Sequence, residues 1–187
     1  VTSEEREKLR SLGYVDQTSG IPSGPLPDPK DMVEELRMSQ KAELLEREGN
    51  LAESARIYGE ILERNRKSPV NHVNLALIQA KMNQFEEAIR TLESGIAAIP
   101  GSVTLLSRQA HTYMVMGRLQ KSLDAWQAVL IIDPAYFDGL LASGWILDLM
   151  GKKEEARGYL EKALAVEQEN TFLRKAYAMK LDTSVNF

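Results

Sequence analysis

The sequence predicts an all-α protein: a solenoid of four helix–turn–helix units, closed by a C-terminal capping helix. Three observations carry that expectation. From about residue 30 to Leu181 the apolar residues follow the helical period, and no strand-like alternation appears. Short breaks interrupt the pattern at 49–50, 66–69, 83–84, 100–102, 117–118, 133–134, 151–152 and 168–170. Those breaks are periodic. Gly49, Asn83, Gly117 and Gly151 are 34 residues apart, and so are Arg66, Pro100, Pro134 and Gln168.

At the start, Thr2 and Glu5 have capping-box spacing and Gly13 can end a short helix. Only Leu9 and Leu12 are apolar in it, so alone it would be marginal. Residues 16–29 hold Pro22, Pro25, Pro27 and Pro29 with Gly20 and Gly24, the composition of a linker. Asp28 then suits an N-cap and Pro29 a first helical position.

Within the 34-residue frame the chemistry recurs in phase. Glycine, or asparagine at Asn83, stands where a helix must end in the left-handed conformation. Five residues later come the small Ser54, Ala88, Ser122 and Ala156, and nine later the large Tyr58, Leu92, Trp126 and Leu160. Seven before each break come Ala42, Ala76, Ala110 and Gly144. Small residues let two helices approach and large ones fill the space beside them.

This pattern resembles the tetratricopeptide repeat, a helix–turn–helix of 34 residues. Four repeats fit, at 35–68, 69–102, 103–136 and 137–170, with a cap over 171–181 and a tail over 182–187. The resemblance implies a right-handed superhelix whose function is to bind a peptide or partner protein. The chain departs from the family at Met38, His72, Leu106 and Leu140, where a large aromatic is usual. At position 27, where a small residue is usual, the chain has Ile61, Gly95, Val129 and Ala163. Arg66 and Gln168 stand where proline is usual.

A narrower resemblance lies over residues 3–15, SEEREKLRSLGYV, which is similar to the C-terminal end of the catalytic domain of bacterial sulfatase-like proteins. It implies a chain that is the tail of such a hydrolase, periplasmic or secreted. The first residue, Val1, and the lack of a signal peptide read the same way, as a piece of a larger protein. The formylglycine signature Cys/Ser-x-Pro-x-Arg is missing, so this chain itself is not expected to be an enzyme.

Composition narrows the chemistry. The 187 residues contain no cysteine, which excludes disulfides, thiolate metal sites and cysteine nucleophiles. A net charge of −4 argues against nucleic-acid binding, and no apolar run is long enough to cross a membrane. His72 and His111 fall on different faces without a metal-binding partner one turn away, so no metal and no cofactor are expected. His72 reads as a partly buried packing residue and His111 as a surface one.

In such a repeat the first helix lines the groove, and positions 2, 5, 9, 12 and 13 face it while 4, 8 and 11 pack inside. The first repeat offers polar groove residues: Ser39, Glu43, Glu46 and Arg47 beside Leu36. The other three supply an apolar stripe of Val73, Leu77, His111, Met114, Val115, Leu141, Trp145 and Leu149, the expected partner site. The alternative is that this stripe is covered by the chain's own ends, by a second copy, or by the catalytic domain of the same protein. A clamp for a C-terminal carboxylate is not expected. Asn74 and Arg108 match the positions such repeats use, but Ser39, Glu43 and Thr104 do not.

Overall fold

The computed structural model of the chain describes residues 29–166. The predicted N-terminal helix, the linker up to residue 28, the cap over 171–181 and the sulfatase-like run lie outside the described residues. Eight α-helices and no strand occur among those described: α1 (Pro29–Arg47), α2 (Leu51–Arg64), α3 (Pro69–Lys81), α4 (Phe85–Ala98), α5 (Val103–Val115), α6 (Leu119–Ile132), α7 (Phe137–Leu149) and α8 (Lys153–Val166). The chain divides after Arg37 into two compact units. In the first, Met32, Val33 and Leu36 on α1 are exposed. The second unit begins at Met38.

The turns inside the helical pairs are built alike. Gly49, Gly117 and Gly151 have φ of 83°, 69° and 78°, and Asn83 joins them at 60°, the one non-glycine residue with positive φ among those described. At each of these residues the amide N–H donates to the carbonyl three residues back, Glu46, Ala80, Met114 and Asp148, at 2.9–3.1 Å. The next amide, of Asn50, Gln84, Arg118 and Lys152, donates to the carbonyl five back at 2.8–2.9 Å. These are the two bonds of the Schellman motif, which satisfies carbonyls that a helix end leaves open. Asparagine supports the motif because its short side chain tolerates the left-handed conformation.

Between pairs, Ser68 and Ser102 cap α3 and α5. Each hydroxyl oxygen accepts from the amide three residues on, Asn71 and Leu105, at 3.4 Å. The turn before α7 uses Asp133 instead, whose Oδ1 accepts from the Ala135 amide at 3.1 Å.

Each helix from α2 onward packs on its successor, and α3 also packs on α5. The core is a chain of three clusters. One joins Ala42 to Ile57, Tyr58, Ile61 and Ile78; the next holds Val73, Ala76, Ala88, Leu92 and Leu105; the third holds Ala110, Trp126, Val129, Ala142, Ile146 and neighbours. A core divided this way belongs to a solenoid, in which each unit contacts only its neighbours.

The in-phase small residues explain how closely the helices approach. Ser54 and Ser122, both fully buried, donate from Oγ to the carbonyls of Ala42 and Ala110 at 2.7 Å. A Cβ on Gly144 would stand 2.7 Å from Leu160 Cγ and 3.3 Å from the Ala156 carbonyl oxygen. Two departures from the family pattern turn out to be complementary. The imidazole of His72 lies over Gly95, where a Cβ would stand 2.8 Å from His72 Cγ. His72 is more deeply buried than its sequence suggests, 3% exposed. Its Nε2 lies 3.0 Å from the Arg66 carbonyl, which can only accept, so Nε2 carries the proton.

Candidate protein-binding face

The first helices of the pairs, α1, α3, α5 and α7, present one face, and position along the 34-residue frame decides what each residue does there. Positions 4, 8 and 11 are turned inward: His72, Ala76, Ala110, Tyr113, Leu140, Gly144 and Leu147 are buried, and Gln79 and Leu106 are half-buried. The residues at positions 9 and 13 of α5 and α7, His111, Val115, Trp145 and Leu149, are exposed. Val115, Trp145 and Leu149 are 70%, 38% and 68% exposed, and Leu141 and Met114 are half-buried beside them in the frame.

The second pair differs from that stripe. Val73 is only 9% exposed, and it lies with partly buried Leu77 in a core cluster that includes Leu105 of α5. Because α3 packs on α5, these two side chains are held by the neighbouring helix rather than by solvent. Met114 is likewise packed against the cluster around Trp126. Of the predicted stripe, the residues that reach water therefore lie on the third and fourth pairs, while Val70 at the start of α3 is also exposed.

Trp126, on α6, supports that surface from beneath. It is fully buried, and its indole meets the ring of Tyr136 at 6.3 Å, 26° from parallel. It also meets the His111 imidazole edge-on at 4.8 Å and 87°. Partial burial and then the Arg108 guanidinium hold the His111 imidazole below its ordinary value of 6.5, against the pull of Asp138. His111 is thus exposed, as its sequence position suggests, but anchored to the core by one ring contact.

Two features were not read from the sequence. Glu46 Oε1 is bound by Lys81 Nζ at 2.6 Å, an ion pair between the first and second pairs across the same face. Its signal in the sequence is a carboxylate at position 12 and a lysine at position 13 of the next repeat. Ile131 and Ile132 are exposed at 83% and 46% at the end of α6, a second helix outside the stripe. Asn74, one of the two clamp-like residues, donates from Nδ2 to the Tyr58 hydroxyl at 3.2 Å. Among the described residues no three His, Asp or Glu side chains gather where a metal ion could sit. No helix among them is long and apolar enough to cross a membrane.

Residues 45–108 and 138–170, together about half of the chain, match the tetratricopeptide-repeat family. Small glutamine-rich tetratricopeptide repeat-containing protein 2 of Mycosarcoma maydis is 32% identical over 102 residues, 51% of this chain and 29% of that protein. Human sperm-associated antigen 1 is 28% identical over 98 residues, 52% of this chain and 11% of that protein. The chain therefore corresponds to a minor part of the curated relatives it matches. Among solved structures, a tetratricopeptide repeat protein of Parabacteroides merdae superposes with a TM-score of 0.66 at 20% identity, over 80% of this chain and 60% of that one. A thermophilic repeat protein of Thermus thermophilus gives 0.60 at 21% identity, over 81% and 83%. MamA of Desulfovibrio magneticus gives 0.62 at 17% identity, over 73% and 77%. At these identities the likeness is one of fold.

Proposed function

Because the chain belongs to the tetratricopeptide-repeat family, a fold that mediates protein–protein interaction and is typically non-catalytic, we propose that it holds a peptide or partner protein on the first-helix face of its third and fourth pairs. One observation carries this reading: Val115 and Leu149 are exposed at position 13 of consecutive first helices, with Trp145 exposed at position 9 beside Leu149. Large apolar side chains kept in solvent at such positions mark an interaction surface, and tryptophan is a frequent anchor there. Leu141, Met114 and His111 border it; Val73 and Leu77 support it from the adjoining core. A Trp145→Asp chain that keeps its helical circular dichroism is expected to release proteins that the unaltered chain retains on affinity resin. An unchanged set of retained proteins overturns the reading.

A second reading is self-association, or docking on a catalytic domain of the same polypeptide. The exposure of Ile131 and Ile132 on α6 favours it, since this apolar surface is not part of the stripe. Sedimentation velocity over a range of concentrations separates the two. A single species that stays monomeric removes self-association.

The run SEEREKLRSLGYV ahead of a proline- and glycine-rich segment supports placing the chain in the C-terminal region of a sulfatase-like hydrolase, secreted or periplasmic. In that setting the module positions a partner and the chemistry belongs to residues upstream of Val1. The coding sequence upstream tests this: a Cys/Ser-x-Pro-x-Arg motif is expected there, and an unrelated domain in its place removes the sulfatase assignment.

A further inference from the structure

Asp148 breaks a local rule. It lies in the last turn of α7, where the open carbonyls of a helix end disfavour negative charge, and that turn contains no basic residue. Among the described residues no ion pair or side-chain hydrogen bond reaches its carboxylate. The only other charged residue on α7, Asp138, is answered within the chain, since it acts electrostatically on His111 beside Arg108.

The molecule contains its own example of how this position is satisfied. Glu46 is the residue of the first repeat equivalent to Asp148, and Lys81, one place further along in the next repeat, holds it at 2.6 Å. The matching residue pair between the third and fourth repeats is Met114 and Leu149, both apolar. For Asp148 the matching residue of the following frame is Thr183, which carries no cation. At about 100° per residue, Asp138, Leu141, Trp145, Asp148 and Leu149 fall within roughly 100° of arc, so the carboxylate shares one ridge with the exposed apolar side chains.

We propose that the partner of this face presents a lysine or arginine to Asp148, in the place Lys81 takes at Glu46, and sets a large apolar side chain against Trp145 and Leu149. This rests on the preceding reading of the face and specifies its ligand: a peptide segment in which a basic residue neighbours a large apolar one. The cation supplies what the helix end lacks, and the apolar neighbour removes Trp145 and Leu149 from water.

Two fluorescein-labelled synthetic peptides test it on the full chain by anisotropy, one alternating leucine with lysine and one alternating leucine with glutamate. The lysine peptide is expected to bind about tenfold more tightly or better. Asp148→Asn should weaken it about tenfold, whereas Asp124→Asn on α6, which makes the same change in net charge, should leave it unaltered. Asp148→Lys should reverse the preference, and Trp145→Ala should weaken both peptides. A lysine preference that survives Asp148→Lys, or an equal loss in Asp124→Asn, overturns the inference and leaves the face as a binding surface. Binding that is indifferent to Trp145→Ala overturns the reading of the face itself. Hydrogen exchange adds a further arm. If, with no peptide present, Asp148→Lys strips protection from residues 171–187, the chain's own tail occupies the place and the inference fails.

Discussion

The junction between the first and second pairs and the junction between the third and fourth use one frame in opposite ways. At the first, polar groups are matched inside the chain. Lys81 holds Glu46, and Asn74 donates to Tyr58. At the second, Trp126 fills the core, Trp145 and Leu149 are exposed, and among the described residues no ion pair reaches Asp148. A repeat thus fixes backbone geometry and core volume but leaves each first helix free to close its surface or to offer it.

Trp126→Ala should weaken the second junction most strongly. Removing a fully buried indole that touches Tyr136 and His111 is expected to cost about 3–5 kcal/mol, measured by urea unfolding. Gly144→Ala comes next, at about 1–3 kcal/mol, because its Cβ would strike Leu160 and the Ala156 carbonyl. Combined with Leu160→Val it should cost less than the two single changes together, as expected of residues in contact.

The pH dependence of the second junction is smaller. The imidazole of His111 should titrate below 6.5 by NMR, and higher in Arg108→Gln. Since the folded value is depressed, the unfolded chain binds the proton more readily. The contribution of His111 to stability is therefore complete above 6.5 and is lost as pH falls through its lower folded midpoint. Smallest is Lys81→Ala at the first junction. Its exposed ion pair with Glu46 should be worth ~0.5 kcal/mol or less in thermal unfolding, and strong salt should erase the difference.

The fold was legible in the sequence because its requirements are local. A left-handed cap needs glycine or asparagine, and Asn83 at a φ of 60° shows that the exception follows the same rule. The small and large positions were legible because close helix approach restricts side-chain volume. The surface was less legible. A period assigns a residue to a face but does not say what the next pair sets opposite it. Val73 and Leu141 share position 5, yet Val73 is buried against α5 and Leu141 is half-buried; Leu77 and Trp145 share position 9, yet only Trp145 counts as exposed. The pairing of Glu46 with Lys81 spans 35 residues and required the spatial register of two first helices.

The four turns closed by the same pair of main-chain hydrogen bonds have a consequence for how such a chain can change. Each joint draws on its own backbone and asks little of the side chains around it. A block of 34 residues cut or copied between two such joints therefore carries matching ends. Lengthening or shortening the array becomes an editing operation at the level of the gene, with the new interface between blocks, rather than the joint, as the part that must be refined.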